Sequence, residues 1–394
     1  MLSFTLSATD SLARTGTVQT AHGPFATPAF MTVGTQGAPK GITPQQVTEH
    51  GGQVLLMNAF HLAWRPGEKL VQQMGGLHNF TGWHGPILTD SGGFQIFSLP
   101  GLRKVTDEGA LFASAVDGSL RLFSPEEVVD IECALAPDMA MVLDECPPYP
   151  CDHGHLSRAV ERTIRWAERS AARVADRGLH AGGNCGAAVS AARRPEACTT
   201  SFFGIVQGGC DEKLRRRSLE ATAALPFAGL ALGGFCVGEH IEDTRRGIAF
   251  IAPQMPADRP RYLMGMGTPE DILFAVAHGL DMFDCTLPTR NGRNGLAFTS
   301  RGKVRIKNAC HAASDAPLDE ACGCYTCRNF SRAFLRHLLL AREMNAAILI
   351  SLHNLAFYFR LMQGIREAIG QSRFERFRAE FLAAWESGAG VEEK

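Results

Sequence analysis

Eight short apolar runs, separated by segments with helical character, constrain the fold of this chain more than any other feature of its sequence. Each run has three to five residues. None alternates polar and apolar residues as a strand with one wet face does, so the pattern is typical of parallel strands buried on both faces. The runs are 30–33, 54–57, 86–89, 139–143, 202–206, 230–232, 262–264 and 281–283.

Helix start signals lie between these runs. Residues 124–127 (Ser-Pro-Glu-Glu) have the form of a capping box with proline at the first helical position, and Thr268-Pro269 and Thr43-Pro44 follow the same logic. A longer helix is predicted over 157–176, ended by Gly178. Eight strands with helices in most gaps predict an α/β fold, a (β/α)8 TIM barrel. A doubly wound sheet is disfavoured because no Gly-x-Gly-x-x-Gly turn follows the first strand.

Two segments fall outside this repeat. Residues 181–200 are rich in Ala and Gly, which predicts an insertion or a mobile loop. Residues 308–360 combine a cysteine cluster with an apolar helical stretch, which predicts an inserted zinc-binding subdomain. Residues 1–307 and 361–394 then form the catalytic barrel with an N-terminal β segment.

Composition narrows the class of protein. The chain has 394 residues, of which 45% are hydrophobic and 20% charged, as in ordinary globular proteins. No apolar run approaches the ~18 residues of a membrane-spanning helix, and residues 1–16 lack the basic start and apolar centre of a signal peptide. Twelve cysteines without such a signal indicate a reducing compartment, so we expect a cytoplasmic protein with no membrane partner.

Polar residues and glycines follow the apolar runs. Because the carboxyl ends of barrel strands meet on one rim, these residues are expected to converge there. Each aspartate alone could equally be a turn or N-cap residue. Together they suit either metal-assisted hydrolysis or attack at an anomeric carbon, and the lack of histidine at the strand ends disfavours the metal route. The residues are Asp90, Asp144, Gln207, Gly233, Gly234, Gly265 and Asp284.

A cysteine knuckle predicts a metal site away from this rim. Cys322, Cys324 and Cys327 follow the pattern C-x-C-x2-C, and His353 lies further along in an apolar helical stretch. Three thiolates and one imidazole make a closed tetrahedral set, which predicts one structural Zn²⁺ per chain with no open position for water. The alternative is a loop of buried free cysteines.

The stretch 285–314 contains six Lys and Arg residues and no Asp or Glu, in a chain whose formal net charge is −1. It could be a weakly basic solvated strand pair. Beside a carboxylate rim, it predicts a track for a phosphate backbone. A second basic run, 213–217, has acidic neighbours and is interpreted as a solvated helix face.

Taken together, these motifs identify a family. The chain resembles bacterial queuine tRNA-ribosyltransferases, also called tRNA-guanine transglycosylases, over nearly its full length. The resemblance rests on TDSGGFQ at 89–95, LDECPPYP at 143–150, GIVQGG at 204–209, VGE at 237–239, LMGMGTPED at 263–271, DMFDCTLPTRNGRNG at 281–295 and the cysteine–histidine set. It implies an irregular (β/α)8 barrel with an inserted structural-zinc subdomain that docks tRNA. It also implies a homodimer.

The reaction implied by the resemblance replaces guanine at the anticodon wobble position of tRNA with 7-aminomethyl-7-deazaguanine, a queuosine precursor. Asp284 would be the nucleophile and Asp90 the general acid/base. The other implied contacts are to the base from Asp90, Phe94, Asp144, Gln207, Gly234 and Met264, to the anticodon loop from Arg290 and Arg293, and to zinc from Cys322, Cys324, Cys327 and His353. The sequence departs from the usual bacterial pattern at Phe235-Cys236, where leucine and a small residue are common.

Three other functions are weighed against this one. The archaeal-type enzyme, which acts elsewhere in tRNA, is disfavoured because Asp144-Glu145-Cys146 and Val237 fit the bacterial pattern. A non-catalytic partner subunit is expected to lack a rim aspartate, and Asp90, Asp144 and Asp284 are all present. A hydrolase or deaminase with catalytic zinc keeps an open metal position, which the fourth ligand would close.

Overall fold

The computed structural model describes residues 2–99, 103–114, 118–179 and 199–389. Most of the insertion predicted at 181–200 lies outside these residues. The strands are β1 (Ser3–Asp10), β2 (Ala13–Thr20), β3 (Gly23–Thr27), β4 (Ala29–Val33), β5 (Leu55–Asn58), β6 (Ile87–Asp90), β7 (Arg103–Val105), β8 (Ala110–Ala113), β9 (Leu120–Phe123), β10 (Met139–Met141), β11 (Ser201–Val206), β12 (Gly229–Leu232), β13 (Arg261–Leu263), β14 (Met282–Cys285), β15 (Leu296–Thr299) and β16 (Gly302–Arg305).

Eight of these strands close into a parallel barrel, in the order β4, β5, β6, β10, β11, β12, β13 and β14, with β14 pairing back onto β4. All eight apolar runs are therefore confirmed as barrel strands, and the predicted (β/α)8 class is correct. The antiparallel sheet of β7, β8 and β9 interrupts the repeat between β6 and β10, which makes the barrel irregular.

Residues within each strand alternate between two cores. Met31, Leu56 and Leu88 pack inside the barrel, whereas their neighbours Phe30, Leu55 and Ile87 pack outward against the helices. Both faces of the strands are buried, which explains why the runs show no polar alternation.

The helices that cover the barrel and extend beyond it are α1 (Pro44–Glu49), α2 (Ala59–Trp64), α3 (Glu68–Gln73), α4 (Gly76–Thr81), α5 (Gly93–Ser98), α6 (Pro125–Leu135), α7 (His153–Asp176), α8 (Glu212–Ala223), α9 (Ile241–Ile251), α10 (Pro269–Ala277), α11 (Leu287–Arg293), α12 (Tyr325–Asn329), α13 (Arg332–Leu340), α14 (Met344–Gly370) and α15 (Phe374–Ala389). Among the described residues, no helix is both long enough and apolar enough to cross a membrane.

The predicted helix starts are confirmed at Thr43, Ser124 and Thr268, whose side chains each accept a main-chain N–H three residues later. The helix predicted over 157–176 ends as expected but begins earlier, because Asp152 caps it by accepting the N–H of His155 at 2.8 Å.

The N-terminal sheet of β1, β2 and β3 closes the amino-terminal end of the barrel, where Val18 and Phe25 join the interior core. A buried ion pair fixes it there, since the guanidinium of Arg14 donates to both carboxylate oxygens of Asp281, at 2.8 and 2.6 Å.

A histidine pair adds a second anchor. The rings of His22 and His78 stack with centroids 3.4 Å apart, and each bonds a different oxygen of the buried Asp138. Hydrogen bonds from both histidines and from a main-chain N–H outweigh the effect of burial and lower the pKa of Asp138 to about 2.

The C-terminal region holds a small separate core. The β15–β16 hairpin packs with α13 and the first half of α14 around Ile306, Leu335 and Ile350. The division of the chain at 308–360 stays a prediction. The 27-residue helix α14 runs continuously through position 360 and joins this core to the barrel.

Candidate active site and metal centre

A cavity of about 370 Å³ opens at the carboxyl end of the barrel strands. It brings together residues from the ends of all eight barrel strands and the loops that follow them. Every residue that the sequence placed at the base or at the reacting bond lines this cavity: Asp90, Phe94, Asp144, Gln207, Gly234, Met264 and Asp284.

Asp284 is held by one of its two carboxylate oxygens. The hydroxyl of Tyr262 donates to Oδ1 at 2.6 Å, and the main-chain N–H of Gly265 donates to the same atom at 2.7 Å. Oδ2 has no hydrogen-bond partner among the described residues. Burial raises the pKa of Asp284, and these two hydrogen bonds act in the opposite direction. The carboxylate is thus oriented while one oxygen stays available to a substrate.

Asp90 ends strand β6, next to Asn58 at the end of β5. The amide of Asn58 donates to Asp90 Oδ2 over 3.3 Å. Burial, followed by the negative charges of Asp144 and Asp284, raises the pKa of Asp90 to about 7. A carboxyl group with this pKa can both release and take up a proton near neutral pH, as acid/base catalysis requires.

Asp144 lies deeper in the cavity and is 4% exposed. It accepts a 2.6 Å hydrogen bond from the amide nitrogen of Gln207. Burial raises its pKa to about 6, and the Gln207 bond opposes the shift. Gln207 Oε1 is buried without a hydrogen-bond partner in the described part of the chain. An orphaned acceptor beside a cavity is consistent with a ligand that brings its own N–H groups.

Glycines let the backbone come close to these polar groups. A Cβ on Gly93 would overlap Asp144 Oδ1, and one on Gly234 would overlap Gln207 Oε1. Gly234 also has φ +67°, which side chains rarely adopt. Above this floor, Phe94 is 48% exposed, and Met264 is half-buried. An exposed aromatic ring at a cavity mouth is suited to stacking on a flat ring.

Several lining residues are not among those predicted to contact the base or the reacting bond. They are Cys146, Cys236, Cys285, His61 and Tyr262. Tyr262 is predicted only as the first residue of the apolar run 262–264. The alternation of side chains along the strand could have marked Tyr262 as a site residue, because a tyrosine hydroxyl that points into a barrel needs a hydrogen-bond partner.

The interpretation of 213–217 as a solvated helix face is wrong at one position. Arg216 and Arg217 are exposed on α8, but Arg215 is 1% exposed. Its guanidinium reaches under the cavity floor, where it donates to main-chain carbonyls of β11 and of the loop after β12. Sequence spacing gave no signal for this, since the three arginines are consecutive.

The cysteine knuckle and the helical histidine meet as predicted. One ligand atom from each of Cys322, Cys324, Cys327 and His353 lies within 4.8 Å of every other, so the group could hold a metal ion. His353 Nε2 lies 2.7 Å from the carbonyl oxygen of Phe298, which directs Nδ1 toward the thiols, 3.2 Å from Cys327 Sγ. A histidine fixed through its second nitrogen is typical of metal ligands.

The basic stretch forms an exposed surface between the cavity and the knuckle. Arg290 and Arg293 are exposed on α11, which begins directly after β14. Around β16 the residues alternate strictly, with Arg301, Lys303 and Arg305 exposed and their neighbours buried. The basic side chains therefore share one face of the hairpin.

A cavity that holds an oriented carboxylate together with a second carboxyl group whose pKa is about 7 is suited to breaking and remaking a glycosidic bond, and so points to the class of glycosyl-transferring barrel enzymes. Within that class, the chain belongs to the queuine tRNA-ribosyltransferase family, whose model matches residues 9–387. This confirms the resemblance drawn from the motifs.

Similar proteins named queuine tRNA-ribosyltransferase occur in several bacteria. The protein of Solidesulfovibrio magneticus is 49% identical over 385 residues, covering 98% of both chains. That of Methylobacillus flagellatus is 49% identical over 380 residues, covering 96% of this chain and 97% of its own. That of Pseudomonas aeruginosa is 46% identical over 382 residues, covering 97% of each.

Proposed function

We propose that this chain exchanges the guanine at the anticodon wobble position of tRNA for 7-aminomethyl-7-deazaguanine, through a covalent glycosyl-enzyme intermediate. The observation that carries the proposal is the pair of carboxyl groups in one cavity. Asp284 is oriented with Oδ2 available, and Asp90 has a pKa of about 7. These are the states that a nucleophile and a general acid need at neutral pH.

In the first step, Asp284 Oδ2 attacks C1′ of the ribose, and the bond from C1′ to N9 of guanine breaks. The electron pair of that bond leaves with the purine, and Asp90 supplies the proton that neutralises it. The product is an ester between Asp284 and ribose. Tyr262 and Gly265 keep their bonds to Oδ1 throughout, so the attacking carboxylate does not need to reorient.

In the second step, the incoming deazaguanine gives its N9 proton to Asp90 and attacks C1′ with the freed electron pair. The ester bond breaks, and Asp284 returns as a carboxylate. Two displacements at the same carbon restore the original configuration, so the product retains the stereochemistry of the tRNA.

Recognition of the base follows from donor and acceptor types. The N1–H and 2-amino groups of guanine need acceptors, which the buried carboxylate of Asp144 supplies, and the 6-oxo group needs donors. The main-chain N–H of Gly234 has no acceptor among the described residues, and with the amide of Gln207 it can serve that oxygen. Phe94 and Met264 then contact the faces of the ring.

The tRNA itself is expected on the basic face, with Arg290 and Arg293 nearest the reacting nucleotide. Both lie on α11, which begins three residues after Asp284. The exposed cations of the β15–β16 hairpin extend this face toward the knuckle. A tRNA substrate also places the reaction in the cytoplasm.

We assign Zn²⁺ to the Cys322, Cys324, Cys327 and His353 group, since three thiolates and one imidazole are a closed zinc set. The ion would hold the knuckle against α14 and take no part in the chemistry.

Next to the knuckle, the rings of Tyr325, Phe330 and Phe334 form an aromatic row, with ring centroids 5.7 and 5.4 Å apart. Tyr325 and Phe334 are 48% and 42% exposed, which supports a homodimer formed through this row.

Exchange of labelled guanine into an anticodon stem-loop, combined with denaturing gels for the adduct, tests the proposal. Wild type should exchange guanine and form the adduct. Asp284→Ala should do neither while still binding RNA, and Asp90→Asn should lose exchange by about 10²–10⁴-fold and form far less adduct. Asp176→Asn, an exposed aspartate at the end of α7, is the matched control. Near-normal exchange by Asp284→Ala would exclude the covalent mechanism.

A further inference from the structure

Arg215 is a buried cation whose partners are all uncharged. In the described part of the chain its four hydrogen bonds go to main-chain carbonyls: those of Val206 at 2.9 Å, Gly209 at 2.8 Å, Gly233 at 2.6 Å and Gly234 at 3.2 Å. Burial lowers its pKa to about 10, so the side chain remains charged at neutral pH. Burying a charge without a carboxylate partner costs desolvation free energy, so we expect the buried guanidinium to have a function in this position.

These carbonyls belong to the peptide groups that form the base-binding floor. In a trans peptide the C=O and the following N–H point in opposite directions. The 2.6 Å bond from Arg215 to the Gly233 carbonyl therefore turns the N–H of Gly234 away from Arg215. Gly234 lines the cavity, and its N–H has no acceptor among the described residues. This N–H is therefore available to a ligand in the cavity.

The same guanidinium also secures the residue before Gln207. It bonds the carbonyl of Val206, which additionally accepts the N–H of Gly233 at 3.1 Å. Arg215 thus ties the end of β11 to the loop after β12. Both groups expected to donate to the 6-oxo oxygen, the Gln207 amide and the Gly234 N–H, lie on segments that it holds.

Phe235 keeps the guanidinium in place from the other side. The Arg215 guanidinium carbon lies 3.8 Å from the centroid of the Phe235 ring. Gly247 of α9 leaves room for this ring, since a Cβ there would lie 2.8 Å from Phe235 Cε1. An aromatic face attracts a desolvated cation, so the contact both covers and orients the arginine.

We propose that Arg215 is a positioning residue for base specificity, which holds the Gly234 N–H and the Gln207 segment toward the 6-oxo group of the purine. The inference rests on the proposed function, because it assumes that a guanine-type base occupies the cavity. It predicts that weakening the Arg215 contacts reduces the affinity for bases with a 6-oxo group more than the affinity for bases without one.

The test compares guanine with 6-thioguanine as competing bases in the exchange assay. The two share N1–H and 2-amino groups, and differ in that sulfur accepts hydrogen bonds from N–H weakly. In Arg215→Lys, the inhibition constant for guanine should rise about tenfold, the value of one hydrogen bond, while that for 6-thioguanine should rise less than about threefold. Affinity for tRNA should stay within about twofold of wild type. Arg216→Lys, exposed on the same helix, should match wild type in both constants.

An equal loss for both bases, or no loss in a folded variant, would overturn the inference. Cooperative thermal unfolding and unchanged tRNA affinity establish that a variant is folded. If Arg215→Lys does not fold, Phe235→Leu takes its place, because loss of the ring that covers and orients the guanidinium weakens the bonds of Arg215 to the carbonyls. A selectivity unchanged from wild type would then overturn the proposal. Failure of the wild type to exchange guanine would instead refute the proposed function, so the two failures are distinct.

Discussion

The hydroxyl of Tyr262 and the carboxylate of Asp284 are joined by a 2.6 Å hydrogen bond between adjacent barrel strands. Tyr262 is buried inside the barrel, and its pKa is raised well above the usual value, mainly by burial, so it stays a donor. The bond stabilises the ionised form of Asp284 against the effect of burial. The bond therefore limits the rise in the pKa of Asp284 that burial causes, although Tyr262 does not contact the substrate in our proposal.

Tyr262→Phe should therefore move the acid limb of the exchange reaction to higher pH. Loss of the donor leaves burial to raise the pKa of Asp284 further, so a larger fraction of the enzyme carries a protonated, inactive nucleophile at a given pH. The measurement is kcat/KM for guanine exchange against pH. Tyr325→Phe, far along the chain on the knuckle, serves as control. An acid limb at the wild-type position would show that Tyr262 does not tune Asp284.

Asp90→Asn should stabilise the fold above pH 7 although it removes activity. The pKa of Asp90 is about 7 in the folded protein and near 3.8 in the unfolded chain, so ionisation costs folding free energy that grows as pH rises between these values. Asparagine removes that cost. Thermal unfolding should show a higher Tm for the variant at pH 8, and the difference should shrink by pH 5. A Tm difference that does not vary with pH would argue against the raised pKa.

Cys324→Ser should lose metal binding together with tRNA affinity, because the ion that we propose would join the knuckle to α14. Metal analysis of purified wild type should give one zinc per chain, and the variant much less, with a lower Tm. Cys310→Ser changes an exposed cysteine of the same region that is not part of the group, and should retain both metal and affinity. Full tRNA affinity in a zinc-free Cys324→Ser protein would contradict a structural role in docking.

Reversal of charge on the hairpin face should weaken binding in a salt-dependent way. Lys303→Glu and Lys307→Glu each remove an exposed cation, so the slope of log affinity against log salt should fall by about one for each lost phosphate contact. Lys213→Glu, on α8, is the control. An unchanged slope in the double variant would place the RNA elsewhere on the surface.

The barrel was predictable from sequence because its strands are buried on both faces, so each run is apolar from end to end. The site was predictable for a related reason. Parallel strands bring their carboxyl ends to one rim, and a polar residue after a buried run is conspicuous, as at Asp90, Asp144 and Asp284. The roles assigned to these residues came from the family resemblance and stay predictions.

Contacts between distant segments were not predictable. His22, His78 and Asp138 meet only after three segments have packed together, and none belongs to a recognisable motif. The burial of Arg215 was not predictable for another reason, since a run of basic residues on an amphipathic helix is usually solvated. Its burial depends on the carbonyls that two loops present to it, which sequence periodicity does not report.

Helix α14 connects the cysteine–histidine group to the segments that position Asp284. His353 binds the knuckle, its neighbour Asn354 donates to the carbonyls of Pro288 and Leu296 at 2.9 and 3.0 Å, and Tyr358 donates to the carbonyl of Gly267 at 2.5 Å. A Cβ on Gly292 of α11 would lie 2.5 Å from Ser351, so the two helices touch backbone to backbone. The continuous helix α14 therefore links the cysteines to the segments on either side of Asp284. A rotation of the knuckle would therefore displace the segments that carry Asp284, and an ion bound by the three cysteines and His353 would fix the knuckle relative to them.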